Sequence, residues 1–189
     1  MKLFAWIALA ASAGLGQPAV RDLDGRVRQP FAPTAIASVL VFVTSDCPIS
    51  NAYAPEIDDV CRAYRSRGID CLLLYEDVAI APAAARAHLE AYRLAAIPAA
   101  IDRDRAIAGA AGASVTPEAV LVDAAGATRY RGRIDNLYAD LGRRRPAATV
   151  HDLRDAIDAL LAGRPIAQPR TEAFGCYITS LPGRPKESR

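Results

Sequence analysis

The chain has 189 residues, enough for one domain that buries a core without needing disulfides for its stability. It is 52% hydrophobic and 23% charged, which is typical of a globular protein and excludes a disordered one. A net charge of +2 gives no general attraction to nucleic acid, so no nucleic-acid partner is predicted.

The first residues have the pattern of an export signal. Lys2 supplies a positive start, the apolar run 3–11 is too short to span a bilayer, and small residues follow it. We expect a signal peptide over residues 1–16, with an uncleaved anchor as the alternative. The mature protein is then predicted to be periplasmic or secreted, without a membrane segment, in an oxidising compartment where cysteine pairs persist.

The remaining chain is predicted to fold in the order ββ, βαβα, ββα. Strands are expected near 19–28 (a hairpin), 36–43, 69–75, 97–101, 118–122 and 128–133, and helices near 48–67, 82–94, 104–111 and 150–162, the last capped by Thr149. Two buried strands joined by a helix favour a parallel pair, whereas the later strands with a tight turn are antiparallel. The pattern predicts one α/β domain over 17–163, with a mixed sheet between helices, and a Pro- and Arg-rich tail over 164–189.

The most informative junction is the one at which strand 36–43 leads through Thr44 and Asp46 into Cys47 and Pro48. Proline is favoured at the first position of a helix, so the Cys47 sulfur is expected at a helix N-terminus. Backbone N–H groups there stabilise a thiolate and lower its pKa. Asp46 either caps the helix, the favoured interpretation, or raises the Cys47 pKa by like charge. The sequence therefore predicts an exposed, nucleophilic sulfur.

Three motifs resemble the thioredoxin-like family, more specifically exported redoxin domains of the AhpC/TSA and TlpA type. Cys47-Pro-Ile-Ser50 stands where the family has C-x-x-C, Pro55 where thioredoxins have a helix-kinking proline, and Thr116-Pro117 where they have a cis-proline loop. The resemblance spans roughly residues 19–162. It implies a thioredoxin-like three-layer fold and thiol–disulfide oxidoreductase activity without a cofactor. It also implies a disulfide-bearing protein as substrate and a thiol as electron donor.

The chain departs from this family at Ser50, which replaces the second active-site cysteine. Cys47 must therefore form mixed disulfides, react with peroxide, or pair with a cysteine elsewhere. Cys176 in the tail is the preferred partner, because the chain after Gly163 can extend roughly 40 Å at about 3.3 Å per residue. Another pairing for Cys176, or an idle thiol, is the alternative.

The other two cysteines have a plainer interpretation. Cys61 lies on the apolar side of the predicted helix 48–67, and Cys71 lies near the start of strand 69–75. Free cysteine often packs as a small hydrophobe, so buried thiols are the favoured interpretation. A structural disulfide between them is the alternative.

A peroxiredoxin-like thiol peroxidase, an antioxidant enzyme acting on peroxide, is the second functional hypothesis. Thr44 lies three residues before Cys47, as the motif P-x-x-x-[ST]-x-x-C requires, but Leu40 replaces its proline. Peroxiredoxins also use an arginine beside the thiolate. Candidates for that role, for which a solvated strand face is the favoured interpretation, are Arg129, Arg131 and Arg133.

A non-catalytic binding module or copper chaperone is the third hypothesis. Copper chaperones of this fold use C-x-x-x-C, and Asn51 stands at the second of those positions. One thiolate and two unplaced histidines make a poor copper site, so no metal is predicted. His88 and His151 are interpreted as ordinary surface or packing residues.

The sequence thus predicts an exported oxidoreductase in which Cys47 attacks a disulfide or peroxide and Cys176 resolves the product. Thr44 is expected to hydrogen-bond the sulfur, and Pro117 to shape the substrate groove. The predicted catalytic residues are Cys47, Cys176, Thr44 and Pro117, and the predicted substrate-binding residues are Pro48, Ser50 and Thr116.

Overall fold

The computed structural model describes residues 17–179, so the predicted signal peptide over 1–16 lies outside the described residues. Within the described range, no helix is both long enough and apolar enough to cross a membrane.

The elements follow the predicted order closely. The strands are β1 (Val20–Arg21), β2 (Val27–Arg28), β3 (Ala37–Val43), β4 (Ile69–Tyr75), β5 (Ala99–Ile101), β6 (Val115–Thr116), β7 (Glu118–Asp123), β8 (Thr128–Gly132), β9 (Tyr138–Asp140), β10 (Arg143–Arg144) and β11 (Cys176–Tyr177). The helices are α1 (Pro48–Ala52), α2 (Ala54–Arg65), α3 (Pro82–Ala91), α4 (Ala106–Ala111) and α5 (Asp152–Leu161). The hairpin β9–β10 and the strands β6 and β11 had no counterpart in the sequence prediction.

The central sheet has five strands in the order β5-β4-β3-β7-β8. Strands β3, β4 and β5 are mutually parallel, whereas β7 is antiparallel to both β3 and β8. One face packs on α2, α3 and α5, and the other packs on α4. Every residue of β3 is buried, because helices cover both faces of this central strand. The predicted three-layer fold with a mixed sheet and an N-terminal hairpin is confirmed.

The predicted helix 48–67 is interrupted at Tyr53 and forms α1 and α2. Pro55 has no N–H to donate to the carbonyl group one turn earlier, at Asn51, so the helix cannot continue unbroken. The break leaves α1 as a single short turn that carries the Cys47–Ser50 segment.

The last helix begins at Asp152, and the predicted cap at Thr149 is wrong. The Thr149 N–H donates to Asn136 Oδ1 at 2.8 Å, and its hydroxyl accepts from Asn136 Nδ2 at 2.9 Å. Thr149 is therefore engaged by a distant loop, and His151 takes the capping position without a side-chain bond.

Cys61 and Cys71 form a disulfide, so the interpretation as buried thiols is wrong. In the crossover from β3 through α2 to β4, the second half of α2, which carries Cys61, packs beside the start of β4, which carries Cys71. The two Cα atoms lie 5.8 Å apart, within the range that a disulfide requires. The bond closes this crossover covalently.

The tail returns to the sheet after α5. Residues 169–171 run beside the edge strand β8, where the Arg131 N–H donates to Pro169 O at 3.0 Å and the Thr171 N–H donates to Arg131 O at 3.1 Å. The Thr171 hydroxyl also lies 2.7 Å from the Tyr130 hydroxyl and accepts the Arg133 N–H at 3.1 Å. Strand β11 then pairs antiparallel with β6.

Candidate active site

The Cys47 sulfur lies where β3 ends and α1 begins, as predicted. Pro48 is the first residue of α1, and the Ser50 N–H donates to Cys47 Sγ at 3.5 Å. The sulfur itself therefore caps α1, whereas Asp46 is exposed and was wrongly favoured as the cap. Cys47 is 0% exposed, so the prediction of an exposed sulfur is also wrong.

A cis peptide bond joins Thr116 to Pro117 beside this sulfur. Thr116 O lies 3.3 Å from Cys47 Sγ, which places the predicted loop directly against the predicted nucleophile. The Thr116 hydroxyl lies 3.0 Å from the Thr44 hydroxyl. In place of the expected bond to the sulfur, Thr44 therefore supports the strand that contacts the sulfur.

Cys176 provides the second sulfur. Its Sγ lies 2.7 Å from Cys47 Sγ, across 129 residues of sequence. Strand β11 places Cys176 opposite Thr116, and the Thr116 hydroxyl donates to Cys176 O at 3.4 Å. A Cβ atom on Gly175 would lie 2.0 Å from Thr116 O, so only glycine allows this close approach.

The two thiols have opposite protonation preferences. Burial by itself raises the pKa of Cys47, but hydrogen bonds from Cys176 and Ser50 outweigh it and lower the pKa below its ordinary value. Cys176 is exposed overall, but partial desolvation of its sulfur, together with the hydrogen bond to Cys47, raises its pKa to about 12. Of the two thiols, Cys47 therefore loses its proton first. The short contact from Cys47 Sγ to Thr116 O is a hydrogen bond only in the protonated form of Cys47.

A chain of hydrogen bonds holds the Cys47 loop from below. The Ser45 N–H donates to Asp77 Oδ2 at 2.6 Å, and Asn51 Nδ2 donates to Ser45 O at 3.0 Å. His88 Nε2 lies 2.9 Å from Asn51 Oδ1, and His88 Nδ1 lies 2.8 Å from the Tyr75 hydroxyl. Because an amide oxygen only accepts, Nε2 carries a proton, and in the neutral ring Nδ1 accepts from the tyrosine hydroxyl.

His88 is therefore part of the support of the active-site loop, which the sequence prediction missed. Burial lowers the pKa of this half-buried imidazole, which favours its neutral form. No sequence signal connects it with Asn51, 37 positions earlier, because α3 and α1 meet only in the folded chain.

The three arginines considered for a peroxidase site are each paired with a carboxylate. Arg129 lies 3.7 Å from Asp123, and Arg131 lies 3.5 Å from Glu118. Arg133 binds Asp152 at 2.7 Å. All three project from β8 or the residue after it.

One group of side chains in residues 17–179 has the composition of a metal site. Oxygen or nitrogen atoms of Glu56, Asp135 and His151 lie within 4.8 Å of one another. Glu56 is already bound by Arg154 at 2.7 Å, and the group includes neither cysteine of the active site.

The fold is thioredoxin-like. A hypothetical protein from Sinorhizobium meliloti is similar to this chain with a TM-score of 0.74 and 22% identity, covering 89% of this chain and 93% of that one. A putative thiol:disulfide interchange protein DsbE from Chlorobium tepidum is similar with a TM-score of 0.60 and 20% identity, covering 77% and 94%.

A third similar structure is a secreted disulfide oxidoreductase from Mycobacterium tuberculosis. Its TM-score is 0.54 at 20% identity, and the match covers 78% of this chain and 96% of that one. No family model matches this chain, and no curated protein matches it. At these identities the similarity shows the fold alone.

Proposed function

We propose that this protein is an exported thiol–disulfide oxidoreductase in which Cys47 and Cys176 form the redox pair. The observation that carries the proposal is the 2.7 Å contact between their sulfurs, beside a cis-proline and at the end of a central strand. The opposed pKa shifts support it, since one sulfur is poised to attack while the other holds a proton. The similar DsbE-like and secreted oxidoreductases of other organisms agree with this class.

The reaction follows ordinary thiol–disulfide exchange. The Cys47 thiolate attacks one sulfur of a partner protein's disulfide, a Cys47–partner bond forms, and the other partner sulfur leaves as a thiolate. Cys176 then loses its proton to that thiolate and attacks Cys47 Sγ. A Cys47–Cys176 disulfide forms, the first partner sulfur leaves reduced, and two electrons have passed to the partner. Two thiol groups, from a protein dithiol or from two small thiols, return the pair to its reduced form in two exchanges and become a disulfide themselves.

The remaining predicted site residues have supporting roles in this proposal. Pro48 starts the helical turn that Cys47 caps, and Ser50 donates its backbone N–H to the sulfur. Pro117 holds Thr116 against the sulfur, and Thr44 braces Thr116 from the other side. Ser50 also lacks the thiol that would compete with Cys176 for Cys47.

Export and domain organisation belong to the same proposal. Residues 1–16 are proposed to be a signal peptide, 17–163 the redox domain and 164–189 a tail that brings Cys176 to Cys47. The disulfide between Cys61 and Cys71 supports export, because such bonds persist in oxidising compartments.

The test is the redox equilibrium of the four cysteines in glutathione buffers, mapped by non-reducing digestion and mass spectrometry. We expect the Cys47–Cys176 pair to titrate as a two-electron couple while Cys61–Cys71 stays oxidised. Cys176→Ser is expected to accumulate glutathione on Cys47, and Cys47→Ser to abolish exchange. A wild-type chain in which Cys47 and Cys176 never form a bond would refute the proposal.

Oxidation of the Cys47–Cys176 pair by hydrogen peroxide tests the alternative function, a thiol peroxidase. Arg129, Arg131 and Arg133 are each paired with a carboxylate, which counts against that alternative. We expect hydrogen peroxide to oxidise the pair far more slowly than glutathione disulfide does at equal concentration. Faster oxidation by peroxide would favour the peroxidase.

A further inference from the structure

The reactive sulfur of this protein is closed off by the protein's own tail. Cys47 is 0% exposed, and its sulfur contacts the sulfur of Cys176, a residue that is itself exposed. A partner sulfur that is to bond with Cys47 must therefore occupy the position that Cys176 Sγ now holds. Strand β11 has to leave before such a partner can react.

The attachment of the tail is uneven along its length. Residues 169–171 are held by several hydrogen bonds to Arg131, Arg133 and Tyr130. The tail from 170 to 175, together with Tyr177, lines an open cleft of about 430 Å³. Strand β11 pairs with β6 over only two residues, with further bonds from the Thr116 hydroxyl to Cys176 O at 3.4 Å and from the Ile178 N–H to Ser114 O at 2.9 Å. The strand can detach from β6 while the segment at 169–171 stays in place.

The tail also shows which peptide fits the position. At Gly175 a side chain would collide with Thr116 O, so the residue before the cysteine must be glycine. Tyr177 is 76% exposed, so the residue after the cysteine is free to vary. Ile178 packs on the apolar cluster beneath α4, so the next residue must be apolar.

We propose that Cys47 reacts with an extended partner segment of the form Gly-Cys-x-apolar, which pairs with β6 in place of the tail strand. This inference rests on the proposed function and specifies its partner. The tail is then an internal copy of the substrate: it competes with the partner for β6 and returns to β6 when Cys176 resolves the mixed disulfide.

The reaction is two successive thiol–disulfide exchanges. The Cys47 thiolate attacks the cysteine sulfur of the docked segment, the bond between that sulfur and its former disulfide partner breaks, and the partner leaves as a thiolate with the electron pair. The bonded segment then separates from β6 while its sulfur stays on Cys47, and β11 re-forms. Cys176 gives its proton to the thiolate that left first and bonds to Cys47, which breaks the Cys47–segment bond and releases the segment with its cysteine reduced.

The test uses the full chain carrying Cys176→Ser and three blocked six-residue peptides, each activated as a mixed disulfide with thionitrobenzoate. The peptides are Phe-Gly-Cys-Tyr-Ile-Thr, its Gly-to-Ala version and its Ile-to-Ser version. Release of coloured thionitrobenzoate anion measures attack by Cys47 on the peptide sulfur. We expect the first peptide to react about tenfold faster than either variant, since one clash or one lost apolar contact costs that much.

Changes in the tail provide the second arm. In the same Cys176→Ser chain, Gly175→Ala is expected to weaken β11 and to increase the rate for the first peptide about tenfold. Tyr177→Thr is the matched control, because its side chain lies in solvent, and is expected to leave the rate within about twofold.

Equal rates for the three peptides, after correction for their reactivity with free glutathione, would overturn the sequence preference. An unchanged rate in Gly175→Ala would overturn competition by the tail. Either result could be obtained in a chain whose Cys47 still exchanges with glutathione, as the proposed function requires. Failure of this inference is therefore distinct from failure of the proposed function.

Discussion

The two cysteine pairs lie in regions that are held together in different ways. Cys61 and Cys71 are ten residues apart in one βαβ crossover of the body, and they are bonded. Cys47 and Cys176 are 129 residues apart, join the body to the tail, and are in contact without a bond. The first pair is positioned by a packed core, whereas the second depends on a two-residue strand. Changes in the body should therefore alter global stability, and changes in the tail should alter the chemistry of Cys47.

The largest effect is expected in the body, at Glu76. This side chain is 2% exposed, its carboxylate oxygens have no hydrogen-bond partner, and Arg105 Nε lies 3.8 Å away. Burial, reinforced by the charge of Asp102, raises the pKa of Glu76 from 4.5 to about 8. Between these values the folded state keeps a proton that the unfolded state releases, so the free energy of unfolding falls as the pH rises.

Glu76→Gln should remove this pH dependence. At about 1.4 kcal/mol per pKa unit, the stability difference between variant and wild type should change by on the order of 4 kcal/mol from about pH 5 to about pH 9. Urea unfolding at both pH values measures it, with the exposed Glu90→Gln as control. An unchanged difference would show that Glu76 is ionised in the folded protein. The Cys47–Cys176 equilibrium with glutathione should stay as in wild type.

The second effect concerns the covalent pair. Replacing both Cys61 and Cys71 by alanine should lower the free energy of unfolding by about 3 kcal/mol, because the unfolded chain regains the freedom of a short loop. Urea unfolding gives this value, and glutathione titration gives the redox equilibrium of the other pair. We expect that equilibrium to be unchanged. A shift in it would contradict the separation between body and tail.

The smallest effect on stability is expected in the tail. Cys176→Ala removes an exposed side chain and should change the free energy of unfolding by less than about 0.5 kcal/mol. It also removes the hydrogen bond that lowers the pKa of Cys47 most, so this pKa should rise. Ultraviolet thiolate absorbance against pH reports this rise, with the chain that lacks both cysteines as the blank. A lower or unchanged pKa would show that Cys176 does not stabilise the thiolate.

Most of the body could be predicted from local patterns. Continuous apolar runs correctly located β3 and β4, and the proline after Cys47 correctly located the start of α1. Errors arose where a distant group decided the outcome. Thr149 had the pattern of a helix cap, but its hydrogen bonds go to Asn136. For Cys61 and Cys71, buried thiols were favoured over a disulfide, because free and disulfide-bonded cysteines occupy similar apolar positions in a sequence.

The site was predictable only in part. The Cys47 and Thr116-Pro117 motifs could be recognised from sequence because each is defined by neighbouring residues. Sequence could not show how close these two motifs lie in the fold or that the sulfur is buried. It also could not show the hydrogen bonds from His88 through Asn51 to Ser45. Those features depend on how α3 and the tail pack on the sheet, which no local pattern encodes.

The amino-acid sequence by itself determined the order of strands and helices, the short turn that Cys47 caps and the absence of a second cysteine at Ser50. Side-chain periodicity and proline geometry act within a few residues, so they can be read without the fold. Only the tertiary structure decided that Cys176 rather than another cysteine lies against Cys47, and that it covers the sulfur. The position of Cys176 depends on Gly175, which lets the tail backbone approach Thr116 where β11 pairs with β6. This is a long-range contact that forms only once the sheet exists.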